Sequence, residues 1–228
     1  MYLLLAVGGY YLYVAYGFEH IPNPYVDNYH KYVSIPFMLT CYYSYFLACR
    51  TNPGFIKPGM PQDEVERAVK RYDYDNCMFN SKSWCDTCQA PKPARSKHCA
   101  LCNMCCEKFD HHCVWINNCV GLHNYKYFIT FLFMHAGICI YGCVVGYLCA
   151  CHLIDEGDLW NKSFVDRQGR RFNADWSIIL QYLQREHEMF EIVVLLCFVV
   201  TIMLFGFIGF HSYLIWKAMT TNEFSRRQ

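Results

Sequence analysis

Four long apolar runs interrupt an otherwise polar chain: Tyr2–Phe18, Val33–Cys49, about Tyr127–Cys151 and about Ile192–Trp216, none with an Asp, Glu, Lys or Arg. A membrane-spanning helix needs about 17–25 mostly apolar residues. The last two runs clear that length with room for tilt. The first two only reach it; both are rich in tyrosine, and Pro36 sits inside the second. The pattern predicts four spanning helices, against the alternative of core helices in a soluble protein. The first run lacks the basic flank and small-residue cleavage site of a signal peptide, so it is read as a retained helix. Between the runs, Thr51–Met60 is a Pro/Gly-rich exit, Glu64–Arg71 predicts a short charged helix, and residues 152–188 predict an interfacial helix around Leu180, Tyr182 and Leu183. No internal repeat longer than paired cysteines is evident.

Charge gives the runs a direction. Segment 50–126 carries eleven Lys/Arg, segment 152–188 five, segment 19–31 only Lys31, and the tail Lys217, Arg226 and Arg227. With four spans, 50–126 and both termini share one side, which the basic excess assigns to the cytosol. Asn161-Lys162-Ser163 is then a glycosylation sequon in the lumenal loop. Charged residues make up 17% of the chain and the formal net charge is +1, which argues against a nucleic-acid binder driven by bulk charge.

Eight of the 16 cysteines lie within Cys85–Cys119, among His98, His111 and His112. On the reducing cytosolic side such thiols serve metals or catalysis rather than disulfides. Cys85-x-x-Cys88 and Cys99-x-x-Cys102 have zinc spacing, with Cys105 and Cys119 as further thiolates. Few large aliphatic residues occupy this stretch, so metal must hold it together. Two closed tetrahedral sites need about eight ligands, fewer than the cysteines and histidines present. Spacing alone does not say which are spare. Cys113 is the stronger candidate for a free nucleophile because Asp110, His111 and His112 precede it, supplying a base for the thiol and a carboxylate to orient the base. A purely structural zinc domain using both histidines and Cys113 remains the alternative at this point.

Asp110-His111-His112-Cys113, in its frame of Cys85, Cys88, His98, Cys99, Cys102, Cys105 and Cys119, resembles the DHHC family of membrane protein S-acyltransferases. Asn124 and Phe128 match its N-x3-F motif, and Thr220-Thr221-Asn222-Glu223 its TTxE motif. The run Lys92–His98 and Val114 lean towards endoplasmic-reticulum members. Asn52-Pro53-Gly54 stands where the family has Asp-Pro-Gly, and the chain stops at Gln228, short of the longer tail of many members. The implied fold class is an all-α integral membrane protein: helices at about 2–18 and 33–49, a cytosolic cysteine-rich domain over 50–126 (core 85–119), helix 127–151, a lumenal loop 152–188, helix 189–216 and a short tail 217–228.

The resemblance implies two structural Zn2+ ions, one on Cys85, Cys88, His98 and Cys105, the other on Cys99, Cys102, His112 and Cys119. It leaves Cys113 as nucleophile, His111 as base and Asp110 as its orienting carboxylate, with Cys106 a packing residue. Palmitoyl-CoA or another long-chain acyl-CoA is the expected donor, and cytosolic cysteines of membrane-associated proteins the acceptors, in a ping-pong reaction in an endoplasmic-reticulum or Golgi bilayer. Expected donor contacts are Phe128 and Phe131, with Ile138, Gly8, Gly9 and Tyr13, along the acyl chain; Trp115 at the pocket mouth; and Lys92, Arg95 and Lys97 on the CoA phosphates. Thr221 and Glu223 are expected to brace the site, while His123, His135, His152, His187 and His211 are read as structural or interfacial. A zinc-stapled scaffold without turnover and a RING-like ligase are the rival classes.

Overall fold

The computed structural model describes residues 2–165 and 168–227. Met1, Asp166, Arg167 and Gln228 lie outside the described residues. Helix α1 (Tyr2–Leu12) runs through a π-helical turn, Tyr13–Gly17, into a 3-10 turn, Phe18–His20. Helix α2 (Tyr29–Arg50) starts ahead of the apolar run and carries Pro36 inside it. Helices α4 (Tyr125–Glu156) and α6 (Glu188–Trp216), of 32 and 29 residues, are the two described helices long and apolar enough to cross a membrane. At 1.5 Å per residue they reach about 48 and 44 Å, more than the roughly 30 Å hydrocarbon layer. Leu195, Phe198, Val199, Ile202, Met203 and Phe205 of α6 are all exposed, and this broad apolar surface suits lipid rather than water.

The expectation of an all-α chain is corrected. Nine short strands occur among the described residues, none longer than three residues. Elements this short offer no run of alternating apolar and polar positions, so the period-two signal of a strand is missing.

The chain divides into two compact units. The first comprises residues 1–40 and 134–205. Its apolar clusters are Ile21, Val26, Val145, Cys149 and Phe190, and Ile154, Leu159, Ile179 and Leu183. It also holds the hairpin β8 (Ser163–Val165) and β9 (Arg171–Asn173), and the amphipathic helix α5 (Trp176–Glu186), capped by Asp175 through the Ile178 amide. Gly146 of α4 lies against Val194 of α6 so closely that a Cβ would meet it at 2.5 Å.

The second unit, residues 41–133 and 206–228, carries the cysteine-rich segment. Its strands are β1 (Phe55–Ile56), β2 (Trp84–Cys85), β3 (Ala90–Pro91), β4 (Lys97–Cys99), β5 (Met104–Cys106), β6 (His111–Cys113) and β7 (Asn118–Val120). They form a β1-β5-β4 sheet and the antiparallel pairs β2-β3 and β6-β7. Short helix α3 (Gln62–Val69) packs Val65 and Ala68 on Ile56, Cys85, Cys88, Ala90 and Cys105, while Cys99, Cys106, Phe109 and Cys119 form a second cluster. Cysteines thus stand at the centre of both cores. Gly121 seals the end of β7: a Cβ there would lie 2.5 Å from the Cys106 sulfur and 2.7 Å from the Pro53 carbonyl.

Candidate active site

Three hairpins follow one another in the second unit, and all have the same plan. Each closes a four-residue turn, 86–89, 100–103 or 114–117, whose last residue has a positive φ: Gln89 at 50°, Asn103 at 54° and Asn117 at 48°. The first residue of each turn follows a cysteine, and Cys85, Cys99 and Cys113 recur every 14 residues. His98 and His112 keep the same period, as do Cys105 and Cys119. This repeat is longer than the paired cysteines evident in the sequence alone.

Two metal-capable tetrads follow from the period. Cys85, Cys88, His98 and Cys105 form one, and Cys99, Cys102, His112 and Cys119 the other; within each, the candidate ligand atoms all lie within 4.8 Å of one another. Each tetrad takes a Cys-x-x-Cys turn from one hairpin and a cross-strand pair from the next, His98 opposite Cys105 and His112 opposite Cys119. Around His98 Nδ1 the sulfurs of Cys85, Cys88 and Cys105 stand at 3.5, 3.5 and 3.9 Å. Around His112 Nδ1 those of Cys99, Cys102 and Cys119 stand at 3.6, 3.3 and 3.7 Å. A tetrahedral zinc with Zn–S of about 2.3 Å and Zn–N of about 2.0 Å has N···S edges of about 3.5 Å. Both tetrads fit that ion.

Cys113 belongs to neither tetrad. Burial pushes its thiol up, but the neighbouring His111 imidazole and the Ile116 and Trp115 amides outweigh this and hold Cys113 below its ordinary pKa. His111 Nδ1 is 2.8 Å from Asp110 Oδ2. Burial pushes the imidazole down; the bonds to Asp110 and Cys113 more than reverse this and raise it to about 9. The carboxylate, whose side chain is 1% exposed, also accepts from the Thr221 amide at 2.9 Å and the Thr221 hydroxyl at 2.6 Å. Burial pushes Asp110 up, and the bonds from His111 and Thr221 hold it below the usual carboxylate range.

Thr221 opens helix α7 (Thr221–Arg226), and its free first-turn amide is the one that meets Asp110. The helix is started by a capping box between Thr220 and Glu223. Glu223 is clamped in turn by Arg95, Nε to Oε1 at 2.5 Å and Nη2 to Oε2 at 2.7 Å, while Nη2 also reaches the Ala218 carbonyl at 3.0 Å. A chain of contacts therefore runs Arg95–Glu223–α7–Asp110–His111–Cys113.

Phe128 is buried with its ring edge-on to His111 at 5.2 Å, and Phe131 is buried next to Tyr45. Trp115 is half exposed in the third turn. Arg95 is held in the Glu223 clamp; the Lys97 ammonium lies over the Phe109 ring, 5.5 Å from its centre; Lys92 meets the Tyr74 hydroxyl through its carbonyl. A cavity of about 710 Å3 borders Asp110, lined by Arg95, Lys108 and Lys126 among others, but not by Cys113. Gly8, Gly9, Tyr13 and Ile138 belong to the other unit.

The sequence places His211 off any ligand pattern, as a structural or interfacial residue; the structure puts it beside His111 and Asp110. It is 1% exposed, 6.0 Å from the His111 ring, and its Nδ1 lies 3.1 Å from the Tyr125 hydroxyl. One ring nitrogen of His211, one of His111 and one Asp110 oxygen lie within 4.8 Å of one another. The available signal was a polar side chain inside an apolar helix, where such residues are costly and usually functional.

A buried thiol near an oriented imidazole, beside two zinc-fitting tetrads and on a chain with two helices of membrane-spanning length, is the arrangement expected of a thiol-based site. The comparisons name the class: residues 78–228 match the DHHC palmitoyltransferase family, and the chain belongs to that family. It is 35% identical over 194 residues to palmitoyltransferase ZDHHC4 of Bos taurus, covering 84% of this chain and 55% of that protein. It is 36% identical over 191 residues to palmitoyltransferase swf1 of Schizosaccharomyces pombe, covering 82% and 47%. The chain thus spans about half the length of these curated relatives.

Proposed function

We propose that this protein is an S-acyltransferase that moves a long-chain acyl group, palmitoyl above all, from acyl-CoA to cysteines of membrane-associated proteins. The observation that carries the reading is a Cys113–His111–Asp110 constellation lying outside both metal-capable tetrads. His111 takes the Cys113 proton, and the thiolate attacks the thioester carbonyl carbon. The carbon–sulfur bond to CoA breaks, the CoA sulfur leaves with the electron pair, and His111 returns the proton to it. In the second half His111 deprotonates the acceptor cysteine, which attacks the acyl-Cys113 carbonyl; the Cys113 thiolate leaves and is reprotonated. One thioester replaces another in each half, so positioning rather than driving force limits the rate.

Two structural zinc ions, on Cys85, Cys88, His98 and Cys105 and on Cys99, Cys102, His112 and Cys119, hold the three hairpins together and take no part in the transfer. Phe128 and Phe131 line the approach of the acyl chain and Trp115 its mouth, with Lys92 and Lys97 available to CoA phosphates. Arg95 and Thr221 are proposed as supports of Asp110. The reading includes four spans in an endoplasmic-reticulum or Golgi membrane, with the zinc domain and both termini cytosolic.

Intact mass of the purified protein with and without palmitoyl-CoA tests the reading. A hydroxylamine-labile palmitoyl adduct is expected on the wild type and not on Cys113→Ser. An adduct persisting in Cys113→Ser overturns the assignment of the nucleophile, and no adduct on the wild type leaves a zinc-stapled scaffold as the better description.

A further inference from the structure

Aligned on the 14-residue period, the three hairpins differ at one informative position. Where the first two turns place Cys88 and Cys102, the third places Ile116, which is 2% exposed. The first cysteine of each turn is held in the same way. Cys85, Cys99 and Cys113 each end a strand, paired across it with Ala90, Met104 and Asn118, and each is followed by a four-residue turn that closes on a positive φ. This is the turn that presents a thiolate to zinc in the two tetrads, and the third copy presents one with no second sulfur beside it.

Chain order explains why the third copy is left over. Each tetrad borrows its histidine and last cysteine from the following hairpin, and after β7 the chain enters α4 at Tyr125 instead of forming a fourth. His111, two residues before Cys113, lies with Asp110 and His211 in a third group of ligand atoms within 4.8 Å of one another. What that group lacks is the second turn thiolate.

We propose that Cys113 occupies the first-ligand position of a third zinc knuckle, and that Ile116, in the second-ligand position, is the residue that keeps the nucleophile free of metal. The branched side chain fills the ligand position with a group that has no lone pair, while the turn itself keeps the same form. The inference rests on the acyltransferase reading only in taking Cys113 as the nucleophile.

The test is metal content of the full chain, zinc-loaded in detergent with a reductant present. Wild type and Ile116→Val are expected to hold two zinc ions, and Ile116→Cys a third. Added Cd2+ should raise thiolate-to-metal absorption beyond the wild-type level in Ile116→Cys, and not in Ile116→Cys/Cys113→Ser. Acyl-enzyme formation in Ile116→Cys should fall on the order of a hundredfold, since a coordinated thiolate is no longer a free nucleophile, and recover when a chelator strips the third ion alone. If Ile116→Cys holds two ions and acylates like the wild type, the proposal is wrong; so too if Ile116→Val already gains an ion. Should Ile116→Cys lose its native ions, Ile116→His decides by the same count. The count does not depend on turnover, so a wild type that fails to acylate sinks the acyltransferase reading without deciding this one.

Discussion

At the scale of single residues, His211 is the position whose chemistry is least replaceable by packing. A buried imidazole nitrogen without a partner costs about 1–3 kcal/mol, and Nε2 of His211 is in that state while Phe128 and Phe207 stand edge-on to the ring at 5.3 and 4.8 Å. If the imidazole positions the neighbouring His111–Asp110 pair, its loss should be felt in the chemical step rather than in donor binding. In steady-state acyl-enzyme turnover, His211→Phe should lower kcat about tenfold, with KM for acyl-CoA nearly unchanged, as expected when an interaction made in the transition state is lost. His211→Gln, which keeps a polar group near Nε2, should recover part of the loss. A fall in His211→Gln as deep as in His211→Phe, or a loss confined to KM, would show that the ring merely fills space. The contrast with the metal-capable cysteines shows what the sequence could reveal. Cys85, Cys88, Cys99 and Cys102 announce themselves because a metal needs donors at short spacing, whereas His211 meets His111 only through the packing of α6, far along the chain from the motif.

At the scale of elements, helix α7 acts as a latch on the Asp110 carboxylate. Its six residues are too few to be stable alone; the capping box, the Arg95–Glu223 pair and the Thr221–Asp110 bonds hold it in place. The arginine therefore has two competing roles, CoA contact and latch, that kinetics separates. If Arg95 holds the latch, Arg95→Ala and Glu223→Gln should both lower kcat by about three- to tenfold and leave KM for acyl-CoA alone. Thr221→Val, losing only the hydroxyl bond, should do the same. A rise in KM for Arg95→Ala not shared by Glu223→Gln would return the arginine to the phosphates. The TTxE motif marks the position of this element in the sequence, but the capping box and the helix it starts emerge only in the structure. The hairpins were not legible, because strands of two or three residues carry no periodic signal. The 14-residue repeat was obscured for a related reason, since its third copy replaces a cysteine with Ile116.

On the scale of the whole molecule, the two units draw their cohesion from different sources. The first packs Ile21, Val26, Val145 and Phe190 in an ordinary apolar cluster. The second centres its clusters on Cys85, Cys88 and Cys105 and on Cys99, Cys106 and Cys119, and all of these but Cys106 belong to the metal-capable tetrads. Zinc removal should therefore not melt the protein uniformly. With the full chain in detergent and a strong chelator present, hydrogen exchange followed by mass spectrometry should lose protection over residues 84–120, and over 221–226, whose latch depends on Asp110. Protection over 141–153 and 190–205 should persist, because those backbone bonds lie within α4 and α6 and their packing contains no proposed ligand. Acyl-enzyme formation should vanish in parallel with protection of the 111–113 strand, and return when zinc is restored. Uniform loss of protection across both segments would mean that the first unit, too, depends on metal, and intact protection over 84–120 after complete zinc removal would mean that the cysteines pack as plain apolar groups.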